Sequence, residues 1–534
     1  MDDLVKTALL GTAKQTADVV DFSCPTDAML DDLSEVSPEH RVLLAAGLRA
    51  VYRQAGRSAD RLSDDAIPDP APLEADRQQC SPKLISMLEE IFQKKDHPLA
   101  LEVLYQMDAA GLRFPPPLLP LALSQTKAQV RQRMLPILGD RGRWLAQFDP
   151  SWSWARHGEV KTVAEKPTEE ELSRFRDQWE MGTIGERCDI LRRLRTVDPE
   201  TARDWLTETL PSEKADHRQR LIQPLGERLS IDDEPMLEEL LSDRSEKVRR
   251  HASRFLASLP DSQLSERMRQ RADEILTGEQ VDGKLQLTSH PPAELDKEWI
   301  RDGIPKKAPR GRGARSYWLE IVVELVPPSY WSTRFKASPD ELIEAIVEDD
   351  YAITLLTAWT TAAVRFAPSD SASAEWLAPL WNDWCKVCDS RKKGASNEDA
   401  ERLGGILEAM PADVANRLLL QRIEATYRLD DPTWILLASR LPTPWTAEFS
   451  TTYIEIIRKI VSKTKSNYAY QVVDMLHVAA GAIPVDLIEP TLNMWEEMLS
   501  TGAMKNDGWL GRQIAAVTAT LNMRQLLYKE VGSG

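Results

Sequence analysis

The sequence has few cysteines and no long apolar run. Five cysteines occur in 534 residues, and they are Cys24, Cys80, Cys188, Cys385 and Cys388. An odd number without a paired spacing argues against a disulfide framework and is typical of reduced thiols. No run of about 18 apolar residues is present, so the sequence predicts no membrane-spanning segment.

The sequence also lacks the short motifs of the common catalytic and phosphate-binding sites. It contains no GxxxxGK[ST], GxGxxG, GxSxG or HExxH pattern, and its seven histidines are scattered. These patterns place nucleophiles, phosphate-binding backbone or zinc ligands, and nothing replaces them here. We therefore expect no catalytic residues, no metal and no cofactor, and a protein that is not an enzyme.

Cys385 and Cys388 have the CxxC spacing of zinc and redox sites. Zinc requires four ligands, and the sequence has neither a second CxxC nor a nearby pair of histidines. A redox CxxC would need a thioredoxin-like βαβ setting, which the pattern does not indicate. On a helix this spacing places both thiols on one face beside Trp381 and Trp384, which favours core packing.

The chain is acidic, with a formal net charge of -17 and a pI of about 5.1. An acidic surface repels phosphate backbones on average, so nucleic acid is a disfavoured partner unless a local basic groove overrides that average. The N-terminus, Met1-Asp2-Asp3, lacks the features of a signal peptide. Together with the cysteine usage, this predicts a cytoplasmic protein.

The apolar residues have helical spacing along nearly the whole chain, most clearly from about residue 168 to 277. Asp198-Pro199 indicates a helix start, and Val248, Ala252 and Leu256 mark the buried side of a later helix. Short amphipathic helices joined by tight turns bury their apolar faces by stacking in pairs. The sequence therefore predicts an all-α fold, a HEAT-like α-solenoid of stacked antiparallel helix pairs.

Three regions are expected. Residues 1–277 form an N-terminal helical-repeat region, residues 278–316 a Gly/Pro-rich basic linker or loop, and residues 317–534 a C-terminal helical region. The linker carries Lys306, Lys307, Arg310, Arg312 and Arg315. Residues 321–326 could form a short strand, but a buried helix is favoured. The C-terminal region could continue the solenoid or form a separate domain, and we favour continuation.

Basic residues recur in successive predicted helices of residues 192–254. The candidate partner-binding residues are Arg192, Arg218, Arg220, Lys247, Arg250 and Arg254. Matching positions of stacked repeats line up along one surface, where a basic stripe could bind phosphates or an acidic partner helix. The alternative is that these side chains pair with the many interleaved acidic residues.

Several segments resemble known patterns. Residues 240–252 resemble a HEAT repeat, in which Asp243 would cap the helix that Val248-Arg249 opens, with Glu246 reaching back. Residues 4–14, 233–245 and 315–328 resemble motifs of a family of uncharacterised bacterial helical-repeat proteins. Its members are often encoded beside MoxR-type AAA+ ATPases, VWA-domain proteins and SWIM zinc-finger proteins. The resemblance implies a scaffold or adaptor that works near an ATPase.

Three functions are therefore considered. The first is a non-catalytic scaffold or adaptor that binds a protein partner, such as a MoxR-type AAA+ ATPase or a VWA-domain protein, away from membranes. The alternative is a HEAT-like nucleic-acid-binding protein or DNA glycosylase with a basic groove, in which Trp205 and Asp204 could take part. The third is a purely structural spacer.

Overall fold

The computed structural model describes most of the chain, which divides into two compact units. The described residues are 36–55, 69–72, 80–94, 97–156, 167–391, 396–426, 433–463, 469–500 and 509–531. The units are Met1–Ala71 and Pro72–Gly534. Helix α1, Pro38–Ala55, belongs to the first unit. The N-terminal family-like motif of residues 4–14 and Cys24 lie outside the described residues.

The first helices of the second unit pack around an apolar core of their own. They are α2 (Pro82–Gln93), α3 (Ala100–Ala109), α4 (Leu119–Leu123) and α5 (Ala128–Leu145). Ser81 begins α2 by accepting a hydrogen bond from the N–H of Leu84 at 3.1 Å, as an N-cap does. Leu88, Val103 and Ile137 are fully buried in this core, which Leu527 joins from the C-terminal end of the chain.

Residues 169–275 form a succession of short helices. They are α6 (Glu169–Met181), α7 (Ile184–Val197), α8 (Pro199–Thr209), α9 (Ala215–Ile222), α10 (Glu234–Leu240), α11 (Glu246–Ala257) and α12 (Gln263–Ile275). Helix α7 contacts α9, and α9 contacts α11. Asp198 caps α8, which begins at Pro199 as predicted. The N-cap of α11 is Ser245 rather than Asp243, because the Asp243 carboxylate accepts from the Ser245 N–H and binds Arg218 instead.

The segment predicted to be a linker contains regular structure. An antiparallel hairpin joins β1 (Leu276–Val281) to β2 (Lys284–Ser289), with Val281 opposite Lys284. Asp282 and Gly283 connect the strands with φ of 51° and 80°, the left-handed pair that a two-residue I′ turn requires. The Asp-Gly dipeptide signals such a turn, whereas the glycine and proline content had indicated a loop.

Residues 297–304 are held against α11 and α12. Helix α13 (Lys297–Arg301) ends at Asp302, which is 1% exposed. The Asp302 carboxylate accepts from Arg267 at 3.0 Å and from Arg271 at 2.6 Å. Gly303, with φ of 89°, lies so close to α11 that a Cβ there would approach the Ser253 Cβ to 2.7 Å. A buried carboxylate with two guanidinium partners fixes this segment in place.

Residues 314–390 contain an apolar core rich in tryptophan. The helices are α14 (Ala314–Glu324), α15 (Pro328–Phe335), α16 (Pro339–Ala345), α17 (Ala352–Phe366), α18 (Ser371–Ala374) and α19 (Leu377–Ser390). Residues 321–324 are helical, as the analysis favoured. The ring centroids of Trp359 lie 6.5 Å from Trp331 and 5.0 Å from Trp376, both edge to face. Such contacts pack α15, α17 and the segment after α18 together.

The last described residues are also helical. The helices are α20 (Asn397–Ala409), α21 (Ala412–Thr426), α22 (Thr433–Ser439), α23 (Ala447–Lys463), α24 (Ala469–Ala482), α25 (Ile488–Ser500) and α26 (Trp509–Val531). Contacts run from α20 to α22, from α22 to α24 and from α24 to α26, while α21 contacts α23. Apart from the hairpin, the regular structure of the described residues is helical, which confirms the all-α prediction.

Candidate functional site

Helix α11 presents a basic side. Val248, Ala252 and Leu256 are fully buried against neighbouring helices, as their spacing predicts. Three of the predicted partner-binding residues occupy the other side at positions i, i+3 and i+7, and they are Lys247, Arg250 and Arg254. Lys247 is exposed, while Arg250 and Arg254 are half-buried. One helix therefore carries three neighbouring cations.

Glu324 of α14 lies against this side of α11. It is 4% exposed, and its Oε1 accepts from Arg254 Nη2 at 3.1 Å and from Arg365 Nη2 at 3.3 Å. Arg365 comes from α17, and its Nη1 also donates to the backbone oxygen of Glu324 at 3.0 Å. A single carboxylate oxygen is thus shared by two guanidinium groups from different helices.

Positive charge exceeds negative charge around Glu324. We call Arg250, Arg254 and Arg365 the arginine cluster. Burial lowers the pKa of Arg365, and the nearby Arg254 and Arg250 lower it further, although Glu324 partly offsets them. Burial also lowers the pKa of His251, again together with Arg254 and Arg250. Burial is the largest cause of both shifts, and the neighbouring guanidinium groups act in the same direction.

Two donors of the arginine cluster have no acceptor. The Nε atoms of Arg250 and Arg254 are buried and have no hydrogen-bond partner among the described residues. Arg250 also has no ion pair with any described residue. Buried donors that belong to charged groups are normally hydrogen-bonded, because leaving them unpaired is destabilising.

A basic loop precedes α14 and is fixed to it. Lys306, Lys307 and Arg310 are exposed and form no ion pair with described residues. The loop is anchored at both ends, since Trp318 Nε1 donates to the Pro305 oxygen at 3.1 Å and Arg312 pairs with Glu320. Glu320 and Glu324 are one helical turn apart on α14, so the partners of these two acids lie along the same face.

We define the basic face as Lys247, the arginine cluster and the three exposed loop residues. Its members are Lys247, Arg250, Arg254, Lys306, Lys307, Arg310 and Arg365. Gly303 touches α11, and the three residues that follow it span at most about 11 Å to Lys306. These seven cations belong to a protein whose net charge is -17.

The other predicted site residues do not join this face. Arg192 pairs with Asp189 of its own helix at 2.6 Å. Arg218 donates to both carboxylate oxygens of Asp243, at 2.7 and 2.8 Å, and so connects α9 to the turn before α11. Arg220 is exposed, without an ion pair to described residues. Asp189 and Asp243 thus engage Arg192 and Arg218, and the stripe itself stays a prediction.

Arg365 and Glu324 are site residues that the sequence pattern does not predict. Both are charged residues that follow uncharged stretches of helix, since Arg365 follows residues 352–364 and Glu324 follows residues 321–323 at the end of α14. A charge at a buried position requires a partner, and that requirement was the available signal. The partner itself could not be inferred, because Arg254 and Glu324 are 70 positions apart in the sequence.

The two cysteines of the CxxC motif lie in the core, as their spacing predicts. Burial raises the pKa of Cys385 to about 12 and also raises that of Cys388. Both thiols are buried on α19, where Trp381 and Trp384 are also buried. The part of the chain that the structure describes contains no group of three or more His, Cys, Asp or Glu side chains placed to hold a metal ion.

The two residues considered for a glycosylase-like site have different surroundings. Trp205 packs against Trp179 with ring centroids 5.8 Å apart, and the Arg176 guanidinium lies 5.3 Å from the Trp205 ring. Its ring is therefore in contact with the protein's own side chains. Asp204 is exposed on α8.

Among the described helices, none has both the length and the apolar character needed to cross a bilayer. The fold and the site define a mainly helical protein with an acidic overall charge and a local basic face. The chain belongs to a family described as a family of unknown function (DUF5691), whose model matches residues 3–531. No curated protein matches the sequence. A crystal structure of an engineered protein has a TM-score of 0.23 and 11% identity over 85% of this chain and 100% of that one, too distant for any argument.

Proposed function

We propose that this protein is a non-catalytic, cytoplasmic scaffold or adaptor that binds an acidic segment of a protein partner through the basic face. The observation that carries the proposal is the arginine cluster, whose cations outnumber their carboxylate partner, together with three exposed cations of the loop before α14, on a chain of net charge -17. Charge complementarity steers association and selects partners. A positively charged surface on a negatively charged protein therefore favours a partner with a negatively charged surface.

The helix contacts support a HEAT-like α-solenoid of stacked antiparallel pairs. Helices α20, α22, α24 and α26 contact each other in order, and α21 contacts α23. Helices α7, α9 and α11 repeat this next-but-one pattern. Stacked pairs give such contacts, and they leave elongated surfaces on which a partner helix or loop can lie.

The titratable groups with shifted pKa support a role without catalysis. The pKa of Asp243 is lowered by its hydrogen bonds to Arg218 and Ser245 against the opposing effect of burial, and the pKa of Asp389 by Arg422. These carboxylates connect one helix or turn to another, and they accept hydrogen bonds from several donors. Carboxylate pKa values that are lowered in this way are typical of structural ion pairs.

The partner class comes from the resemblance noted in the sequence. MoxR-type AAA+ ATPases and VWA-domain proteins are the candidates, and the basic face would bind an acidic stretch of one of them. The four described cysteines are free thiols, in keeping with a reducing compartment.

The experiment compares two triple charge reversals in the full-length protein. Lys306→Glu/Lys307→Glu/Arg310→Glu removes the exposed loop cations, whereas Lys83→Glu/Arg417→Glu/Arg512→Glu reverses three exposed cations elsewhere. Binding to the purified MoxR-type ATPase and VWA-domain protein from the same genome is measured by biolayer interferometry. We expect the loop variant to bind one of them at least about tenfold more weakly than wild type.

The triple reversal at Lys83, Arg417 and Arg512 is the matched control. It has the same net charge as the loop variant and should bind the partner with wild-type affinity. Equal loss in both variants, or the absence of binding to either purified protein, would contradict the proposal. Salt-sensitive binding to duplex DNA that the loop reversal abolishes would favour the nucleic-acid alternative instead.

A further inference from the structure

The arginine cluster has fewer carboxylate partners than its guanidinium groups could bind. Glu324 is the carboxylate that contacts it, and Arg254 and Arg365 share its Oε1 at 3.1 and 3.3 Å. Arg250 has neither a hydrogen-bond acceptor nor an ion pair among the described residues. Arg254 and Arg365 therefore share one carboxylate, and Arg250, whose charge acts on Arg365, has none.

We infer that Arg250, Arg254 and Arg365 form a binding site for a phosphoryl group that the partner presents, an inference that rests on the proposed adaptor function. The charge surplus at the arginine cluster is two, which equals the charge of a phosphate dianion and exceeds that of a carboxylate. A phosphoryl group also offers three strong acceptor oxygens, enough for donors from three side chains.

The positions of the three arginines suit such a ligand. Arg250 and Arg254 are one turn apart on α11. Arg365 lies on α17 and donates to Glu324, which also binds Arg254. The side chains of Arg254 and Arg365 remain 39% and 19% exposed, so the site opens to solvent. Buried side chains of α11, α14 and α17 pack these helices together and so hold the backbones that carry the three arginines and Glu324.

A purely structural ion cluster is the competing explanation, and Arg250 distinguishes the two. Arg254 and Arg365 hold Glu324, so their removal would disturb the fold whatever the function. Arg250 makes no ion pair with the described residues. Its replacement should therefore leave stability nearly unchanged, while a phosphoryl site would lose one of its cations.

The test is isothermal titration of full-length protein with O-phosphoserine, and with serine and glutamate as comparison ligands at matched ionic strength. We expect saturable one-to-one binding of phosphoserine that Arg250→Gln weakens at least about tenfold, the loss of one charge-assisted hydrogen bond. Arg458→Gln serves as the matched control, because Arg458 is exposed and pairs with Glu455 of its own helix at 3.4 Å. It should bind phosphoserine as wild type does, and both variants should melt at the wild-type temperature.

Absence of saturable phosphoserine binding, equal binding by Arg250→Gln, or equally tight binding of glutamate would overturn the phosphoryl site. If the loop triple reversal still weakens partner binding in that case, the adaptor function survives and only this inference fails. If phosphoserine binds at Arg250 but no purified partner recognises the basic face, the adaptor function fails, and with it the assignment of the phosphoryl group to a partner.

Discussion

Arg195 of α7 and Arg250 of α11 show how differently this protein treats its arginines. Arg195 is fully buried, and it donates to both oxygens of Asp233 at 2.8 and 2.7 Å. Its remaining donors bind the backbone oxygens of Leu225, Glu227 and Arg228. Each donor of Arg195 has an acceptor, whereas Arg250 has none in the described chain. The hydrogen bonds of Arg195 stabilise the fold, whereas the donors of Arg250 remain for a ligand to bind.

Replacement of Arg195 by methionine should be strongly destabilising. The substitution leaves the buried Asp233 carboxylate with the Ser230 N–H at 3.0 Å and, as its ion pair, only the 3.4 Å contact to Arg203, so we expect a loss of about 3–5 kcal/mol in the free energy of unfolding. Urea denaturation followed by circular dichroism measures this loss. Arg192→Met, at an exposed pair within one helix, should cost less than about 1 kcal/mol, and similar effects in the two variants would contradict the argument.

Cys385 should be nearly inert in the folded protein. Its pKa of about 12 lies three units above the ordinary value of 9.0, so its thiolate population at pH 8 is reduced about a thousandfold. Iodoacetamide labelling with peptide mass spectrometry should modify Cys80, whose pKa is about 11 and which is half-buried, before Cys385. Cys385 should react at the rate of an ordinary thiol only in urea, and rapid labelling without urea would contradict its placement in the core.

The same raised pKa makes stability depend on pH. The folded state favours the neutral thiol, so the contribution of Cys385 is fully present below about pH 9, where the unfolded thiol also stays protonated. It is lost progressively as the pH rises from about 9 towards 12, because the unfolded state then releases a proton that the folded state retains. In urea denaturation experiments between pH 7 and 10, the free energy of unfolding should decline less for Cys385→Ala than for wild type.

At the scale of elements, the hairpin depends on its two turn residues. Gly283 has φ of 80° and open space around its Cα, so alanine there would be strained without any clash. We expect Gly283→Ala to lower the free energy of unfolding by about 1–2 kcal/mol. Gly405 also has open space but lies inside helix α20, so Gly405→Ala should raise it by about 0.5–1 kcal/mol. The two Gly→Ala substitutions should thus change the free energy of unfolding in opposite directions, as thermal or urea denaturation measures it. Changes in the same direction would contradict the turn assignment.

Sequence patterns predicted the elements whose information is local. The buried side of α11 and the start of α8 at Pro199 follow from residues within one or two turns, and the structure has both. The hairpin was also encoded locally, in Asp282-Gly283, but the surrounding glycines and prolines directed the interpretation towards a loop. Turn residues specify backbone angles, whereas overall composition does not.

The candidate site was predictable only in part. Lys247, Arg250 and Arg254 lie on one helix, so their common side follows from helical geometry. Arg192 and Arg218 appeared equivalent to them in sequence, but Asp189 and Asp243 engage them. Glu324 and Arg365 come from other helices, and contacts across so many residues depend on packing that a single sequence does not reveal. The non-local half of the site therefore required the structure.

At the scale of the whole molecule, α26 joins two apolar cores of the second unit. Ile514, Val517 and Leu521 belong to the core of residues 175–521, whereas Leu527 is buried with α2, α3 and α5. Helix α26 accordingly contacts α24 and α25 as well as α2 and α3. The helices of residues 82–145 are thus fastened to the last helix of the chain.

The centre of this connection is Arg524, which is 2% exposed. Its Nε donates to both carboxylate oxygens of Glu102 at 2.7 and 2.8 Å, and its Nη1 donates to the Ile483 oxygen at 2.6 Å. Tyr528 donates to the same Glu102 carboxylate at 2.8 Å, and the Tyr528 pKa is raised to about 12 by burial and by this acid. One side chain therefore ties α26 to α3 and to the end of α24.

Arg524→Ala should loosen α2 and α3 from the rest of the second unit. Loss of the guanidinium leaves Glu102 without its ion pair, so we expect a cost of about 3–5 kcal/mol. Amide hydrogen exchange should accelerate in residues 82–109 far more than in α14 and α17, because only the smaller core loses its connection. Arg458→Ala, at an exposed pair on α23, should leave exchange in both regions unchanged. Uniform acceleration throughout the unit would show that the two cores unfold together, and that α26 does not act as a separable connection between them.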